Sequence, residues 1–213
     1  PTTGDVVIRD FNVTGSESHQ VARMGVGIKT QVPNVFDGLD VEENIWLSAS
    51  QSASVKRARV ITSDVIERLE LGEVRKSQLG SLAHGQRQLV ELGMVLAGEP
   101  WLVILDEPTA GVDVELRNNL WENVKELNKE GVTIILTTHY LIEAQEMCDR
   151  IAIIDKGNLV ALDTTEKLLD RIKTKKINFK VKNIDLEKKL FIEDAKFKII
   201  NENTILVRYE KNS

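Results

Sequence analysis

Four aliphatic residues in succession, Leu102-Val103-Ile104-Leu105, run straight into two carboxylates, Asp106 and Glu107, and then into Pro108. An unbroken apolar run of this length is the pattern of a strand covered on both faces, as in a parallel sheet. The fold class is therefore read as α/β, with this run as a central strand. Two acids at its end fall on the carboxyl edge of the sheet, where α/β folds bind ligands. The first can hold Mg²⁺ through its water shell, and the second can orient or deprotonate a water attacking a phosphate. Taken alone, such a pair fits a solvated strand end equally well.

The flanking sequence continues the alternation. Asp5 to Arg9 reads as a short strand, His19 to Met24 as a helix and Val26 to Lys29 as a strand; Val41 to Ala49, Val55 to Leu71 and Gly85 to Ala97 read as helices. Beyond the acids come a helix over Val114 to Lys129, stopped by Gly131, a buried β-branched strand over Val132 to Thr137 and a helix over Leu141 to Cys148. Arg150 to Asp155 and Asn158 to Ala161 flank Lys156-Gly157 as an antiparallel pair, and Thr164 to Ile172 is a helix. Residues 174–213 read as strand (Ile177 to Val181), helix (Asp185 to Leu190), strand (Phe197 to Ile200) and strand (Thr204 to Tyr209), with a hairpin turn at Asn201 to Asn203. Charge marks a boundary near Lys173: residues 1–170 carry a net −11 and residues 171–213 a net +6. The expected domains are 1–172, with a helical subdomain at about 40–98, and a small α+β extension over 173–213.

Composition narrows the function classes. With 42% hydrophobic and 29% charged residues the chain can bury a core, which excludes disorder. No apolar run approaches the roughly 18 residues that cross a bilayer, and no secretory signal opens the sequence, so a cytoplasmic address is expected. Cys148 is the only cysteine, which rules out an internal disulfide and cysteine-based metal clusters. A net charge of −5 argues against a nucleic-acid partner.

Two further segments point to phosphate chemistry. Leu82-Ala83-His84-Gly85-Gln86 is a tight, glycine-bearing turn ahead of a helix, so free backbone N–H groups and the positive end of the helix dipole converge there. His139 follows the strand ending in Thr137-Thr138 and reaches the same sheet edge as the two acids, a candidate sensor of a terminal phosphate.

In these stretches the chain resembles the ATP-binding subunits of ABC transporters. Leu82 to Gln86 is similar to the family's LSGGQ signature, Leu102 to Glu107 to its Walker B strand with catalytic glutamate, and Ala110-Gly111-Val112-Asp113 to its D-loop. His139 matches the switch histidine, and Gln31, ahead of Pro33, the Q-loop glutamine. Five such elements in order make the resemblance specific. It implies a P-loop NTPase-like parallel sheet with a helical signature subdomain, ATP and Mg²⁺ as cofactors, a second ATPase subunit and a membrane permease as partners, and a place on the inner face of the membrane. Under it Glu107 and His139 are catalytic, Asp106 and Gln31 face the metal, and Leu82, Ala83, His84, Gly85, Gln86 and Asp113 serve nucleotide binding.

Departures from the family pattern bear on activity. No GxxxxGK[ST] phosphate cradle occurs in the chain; the family places it upstream of a segment like Pro1 to Asp5, so the sheet is expected to be incomplete at its N-terminal side and ATP turnover by this chain alone is not expected. Retention of Glu107 and His139, which in the family serve the nucleotide of their own subunit, favours a truncated ATPase over a non-catalytic partner that lends only its signature turn. Ala83 stands where the family has serine, and His84 where it has glycine, with a ring N–H that can replace the lost donor. Residues 21–27 and the histidine-bearing signature resemble importers of urea and branched-chain amino acids, whereas residues 136–157 resemble exporter ATPases paired with ABC-2 membrane proteins. Lysine replaces arginine as the main base beyond Asp113, so a mosaic joined near the D-loop is one expectation. A chromosome-maintenance ATPase would carry long heptad helices, and the sequence has none.

Overall fold

The computed structural model describes residues 3–171, 174–180, 195–201 and 204–210. Contacts divide the chain into two compact units, Pro1–Met147 and Cys148–Ser213. The change of surface charge near Lys173 falls inside the second unit, because contact density and net charge follow different residues.

The first unit opens with a small hairpin, β1 (Val7–Ile8) against β2 (Phe11–Asn12), where the sequence reads as one strand. Arg9 takes a left-handed φ of 54° and reverses the chain. After α1 (Ser18–Arg23), three parallel strands form the sheet in the order β3 (Val26–Lys29), β4 (Leu102–Asp106), β5 (Thr133–Thr137). Central β4 is buried at Leu102, Val103 and Leu105. By contrast β5, among the described residues, pairs only with β4 and alternates exposed and half-buried residues, with Ile135 47% exposed, so it is a half-covered edge strand rather than the buried strand its composition predicts.

Helices α2 (Val41–Ala49), α3 (Val55–Arg68), α4 (His84–Leu96) and α5 (Val114–Lys129) supply the rest of the core. On α3 the buried residues are Ala58, Ile61, Thr62, Val65 and Ile66, one helical stripe. This helix stops three residues short of the expected Leu71 because Glu70 turns left-handed (φ 55°) and the Leu71 N–H returns to the Ile66 carbonyl. Side-chain caps set the helix starts: Asp40 accepts from Glu43 N–H, Ser54 from Arg57 N–H and Asp113 from Leu116 N–H. Short α6 (Leu141–Met147) closes the unit.

In the first turn of α2, Glu42 lies 2.5 Å from Arg75 and 2.6 Å from Lys76, and these hydrogen-bonded cations hold its carboxyl down to about 2. A depressed carboxyl pKa contributes stability above its unfolded value and loses it on protonation. The α2 start is therefore expected to loosen as pH falls from about 4.5 to about 2, and the Glu42 side-chain carbon resonance should titrate in that window.

In the second unit, β6 (Arg150–Asp155) and β7 (Asn158–Thr164) form the expected hairpin. Its two-residue turn, Lys156-Gly157, has φ of 48° and 79°, which matches the twist of the flanking strands. Helix α7 (Thr165–Asp170) follows. A three-stranded antiparallel sheet then runs in the order β8 (Thr174–Lys180), β10 (Thr204–Glu210), β9 (Ala195–Asn201), with Ile205 and Val207 buried. The expected helix over Asp185 to Leu190 lies outside the described residues.

Candidate functional site

Strand register builds the site. Lys29 pairs with Leu105 and Leu105 with Leu136, so three adjacent parallel strands end level with one another. Gln31, Glu107 and His139 all follow within three residues of that line. Glu107 is the centre: Gln31 Nε2 donates to its Oε2 at 3.3 Å, and His139 Nδ1 lies 2.9 Å from its Oε1. A carboxylate oxygen accepts, so Nδ1 is the His139 ring nitrogen that donates to Glu107, and Nε2 is left for another partner. The ring rests against Tyr140, with centroids 4.1 Å apart. Asp106, one residue earlier, accepts from the Thr137 hydroxyl across the ladder.

Glu107 has a φ of 43°, a left-handed conformation rare for a residue with a side chain and costing on the order of 1–2 kcal/mol. Its N–H still reaches the Thr137 carbonyl at 2.9 Å, so β4 keeps its pairing with β5 one residue past Asp106 before the chain turns away.

The signature turn sits at the start of α4. Leu82 packs against the core instead of facing solvent, and Gly85 is buried where an added Cβ would lie 2.6 Å from Leu116. His84 Nε2 lies 3.2 Å from the Ala110 carbonyl, an acceptor, and 3.2 Å from the Gln88 Nε2 amide, a donor, so this ring nitrogen is engaged within the chain in either tautomer. Ala83 occupies the N-cap of α4 without a side-chain acceptor, and its own N–H is met by Gln86 Oε1 at 3.3 Å. Ala83→Ser is expected to supply the missing cap and raise stability by about 1 kcal/mol, read as a higher urea midpoint at unchanged m-value. Asp113 caps α5. Among the described residues no hydrogen bond or ion pair joins Leu82–Gln86 to Glu107 or His139.

Two clusters were not foreseen. Glu143 on α6, 8% exposed, accepts from the Thr109 hydroxyl at 2.6 Å and the Thr138 hydroxyl at 3.0 Å, bridging the turn after Glu107 to the residue before His139. Lys29, wholly buried, donates to Gln88 and stands 3.1 Å from Glu91, both on α4. No sequence signal marks the second, because a lysine alternating with Ile28 reads as the solvent face, whereas Ile28 is exposed and Lys29 buried.

Residues 1–110 match the family described as ABC transporter. Similar curated proteins include the linearmycin resistance ATP-binding protein of Bacillus subtilis, 33% identical over 80% of this chain and 54% of its own length. The daunorubicin/doxorubicin resistance ATP-binding protein of Streptomyces peucetius is 36% identical over 79% of this chain and 51% of its own. A Nod factor export ATP-binding protein of Mesorhizobium japonicum is 30% identical over 71% and 45%. The chain thus spans about half the length of the curated relatives it matches. A likeness over 80% of the chain cannot avoid Asp113, so similarity to these proteins runs through both halves and is not confined to the second. Among solved structures, the dimeric post-hydrolysis state of an ATP-binding cassette bound to ADP and Pi superposes with a TM-score of 0.70 at 22% identity, covering 78% of this chain and 75% of the other. A nucleotide-free ATP-binding cassette gives a TM-score of 0.67 at 22% identity, covering 80% and 73%. Both share the fold.

Proposed function

The chain belongs to the ABC transporter family of ATP-binding domains, and from that premise we propose that it is the energy-coupling subunit of a transporter, one half of a head-to-tail ATPase pair docked on a membrane permease. The observation that carries the reading is the convergence of Gln31 and His139 on the Glu107 carboxylate. The donor set suits the cofactors. Asp106 offers an exposed carboxylate and Gln31 an amide oxygen, hard ligands of the kind Mg²⁺ takes. The N-terminus of α4, uncapped by any side chain at Ala83, offers backbone N–H groups to an anion. Bound Mg-ATP supplies the phosphoanhydride and the charge that stabilises its cleavage.

The chain's own residues do the rest. Asp106, through water, and Gln31, through its amide oxygen, would hold the Mg²⁺, which would offset charge on the phosphates. Glu107 orients the attacking water and takes up its proton on a carboxylate oxygen. His139, fixed by its Nδ1 contact, presents Nε2 to the terminal phosphate. Leu82, Ala83, His84, Gly85, Gln86 and Asp113 serve the pair's shared interface, Leu82 and Gly85 by anchoring the turn to the core. Attachment at the inner face through the permease belongs to the same reading; among the described residues no helix is long and apolar enough to cross a membrane. All three of the similar curated proteins described above are named for resistance or export, and this favours export as the direction.

No GxxxxGK[ST] occurs in these 213 residues, so turnover needs that cradle supplied. The test is a chain extended upstream with a phosphate-binding loop of the family and assayed for Mg-dependent ATP hydrolysis. Hydrolysis with a second-order dependence on protein supports the paired ATPase. Nucleotide binding without turnover, together with activation of a separate complete ATPase, would replace it with the reading of a non-catalytic partner that lends its signature turn.

A further inference from the structure

The register that levels the site also turns a lysine inward. Lys29 pairs with Leu105, and Leu105 and Val103 are fully buried, so the last residue of β3 sits on the row that faces α4. Its ammonium is completely excluded from water. What meets it there comes from two residues one turn apart on α4. Gln88 Oε1 accepts from Nζ, and Glu91 Oε2 stands 3.1 Å away; its own strand end adds the Thr30 carbonyl at 3.4 Å. Burial pushes the ammonium's pKa down, while Glu91 first and Asp106 after it pull it back up.

The same two α4 residues hold the chain on either side of Gln31. Glu91 Oε1 accepts from Asn34 N–H at 3.0 Å and from the Thr30 hydroxyl at 3.5 Å, and Gln88 Nε2 reaches the Gln31 carbonyl at 3.5 Å. Residues 29–34 are thus clasped from one helix face, at positions four and seven residues after His84. We propose that Lys29 is a positioning residue: through Gln88 and Glu91 it ties the segment that aims Gln31 at Glu107 to the signature helix, so that α4 and the Gln31 amide move as one body. The role assigned to Gln31 rests on the ATPase reading; the link to α4 does not.

An ion pair is not needed to fill this space, since buried pairs replaced by apolar residues of similar volume often leave stability unchanged or raised. That separates a packing role from a positioning one. In the full chain, amide hydrogen exchange at Asn34 is expected to follow the protected amides of α4 rather than those of an open loop. In the Lys29→Met, Glu91→Gln double variant, whose amide oxygen still accepts from the Asn34 N–H while both buried charges are gone, the unfolding midpoint should stay close to that of the parent, while Asn34 exchange accelerates about 10- to 100-fold and the Gln31 side-chain amide resonances shift. Asn34 exchanging at loop rates in the parent chain would overturn the proposal without any variant. A stable double variant with Asn34 protection and Gln31 resonances unaltered would overturn it as well. Neither readout uses nucleotide, so both outcomes are independent of whether the chain hydrolyses ATP.

Discussion

Glu107→Gln, made in the chain extended with a phosphate-binding loop, is expected to lower kcat for ATP hydrolysis by about 10²- to 10⁴-fold, the usual range for removing a general base, while nucleotide affinity changes by no more than a few fold. The substitution keeps volume and the left-handed φ of 43° but removes the charge and one of the two acceptor oxygens. His139 Nδ1 can still donate to the amide oxygen, whereas Gln31 Nε2 would face an N–H₂ and must turn its own oxygen inward. Binding groups are left in place and the proton acceptor is lost, so the effect should fall on turnover. Isothermal binding and steady-state kinetics on the same sample separate the two; hydrolysis persisting within tenfold of the parent would mean that another group takes the proton.

What could be read from the residues alone was the part of the fold that local pattern determines. The run Leu102–Leu105 ending in Asp106-Glu107 located the central strand and half of the site, and the helical stripe Ala58, Ile61, Thr62, Val65, Ile66 located α3, because each signal lies within one element. Gln31 and His139 were foreseen as separate strand-end residues, and the parallel register is what brings them within hydrogen-bonding reach of one carboxylate. Lys29 and Glu91 are 62 positions apart and Thr109 and Glu143 34 apart, so no window shorter than the fold contains either pair. The contacts of His84 were not legible for the same reason: one neighbour of its Nε2 is the Ala110 carbonyl, a backbone atom that no side-chain pattern announces. The half-exposed β5 reflects its place at the sheet edge, which its β-branched composition does not encode.

The second large effect lies in the bridge behind the site. Glu143→Ala is expected to cost about 3 kcal/mol, because two hydroxyls that donate to a buried carboxylate, Thr109 at 2.6 Å and Thr138 at 3.0 Å, lose their acceptor together, and bonds of this kind are each worth roughly 1.5–3 kcal/mol without being additive. Against a total stability of roughly 5–15 kcal/mol for a domain, that is a large share. Arg117 Nε, 4.0 Å from the same carboxylate and itself buried without a hydrogen-bond partner, loses this anion as well. Glu143→Gln should cost less, for its amide oxygen still accepts from Thr109. Thr138 Oγ1 already accepts from the Tyr140 N–H at 3.0 Å, however, and an N–H₂ placed opposite leaves the Thr138 hydroxyl proton without an acceptor. Thr138 precedes His139 directly, so a freed Thr138 should also release the ring from Glu107, seen as faster solvent exchange of the Nδ1 proton. Urea unfolding therefore ranks the three proteins as parent, Gln, Ala, and the imidazole signal ranks them in the same order. An alanine variant within 1 kcal/mol of the parent, or one whose Nδ1 signal is unmoved, would mean that Glu107 and His139 are held together without this bridge.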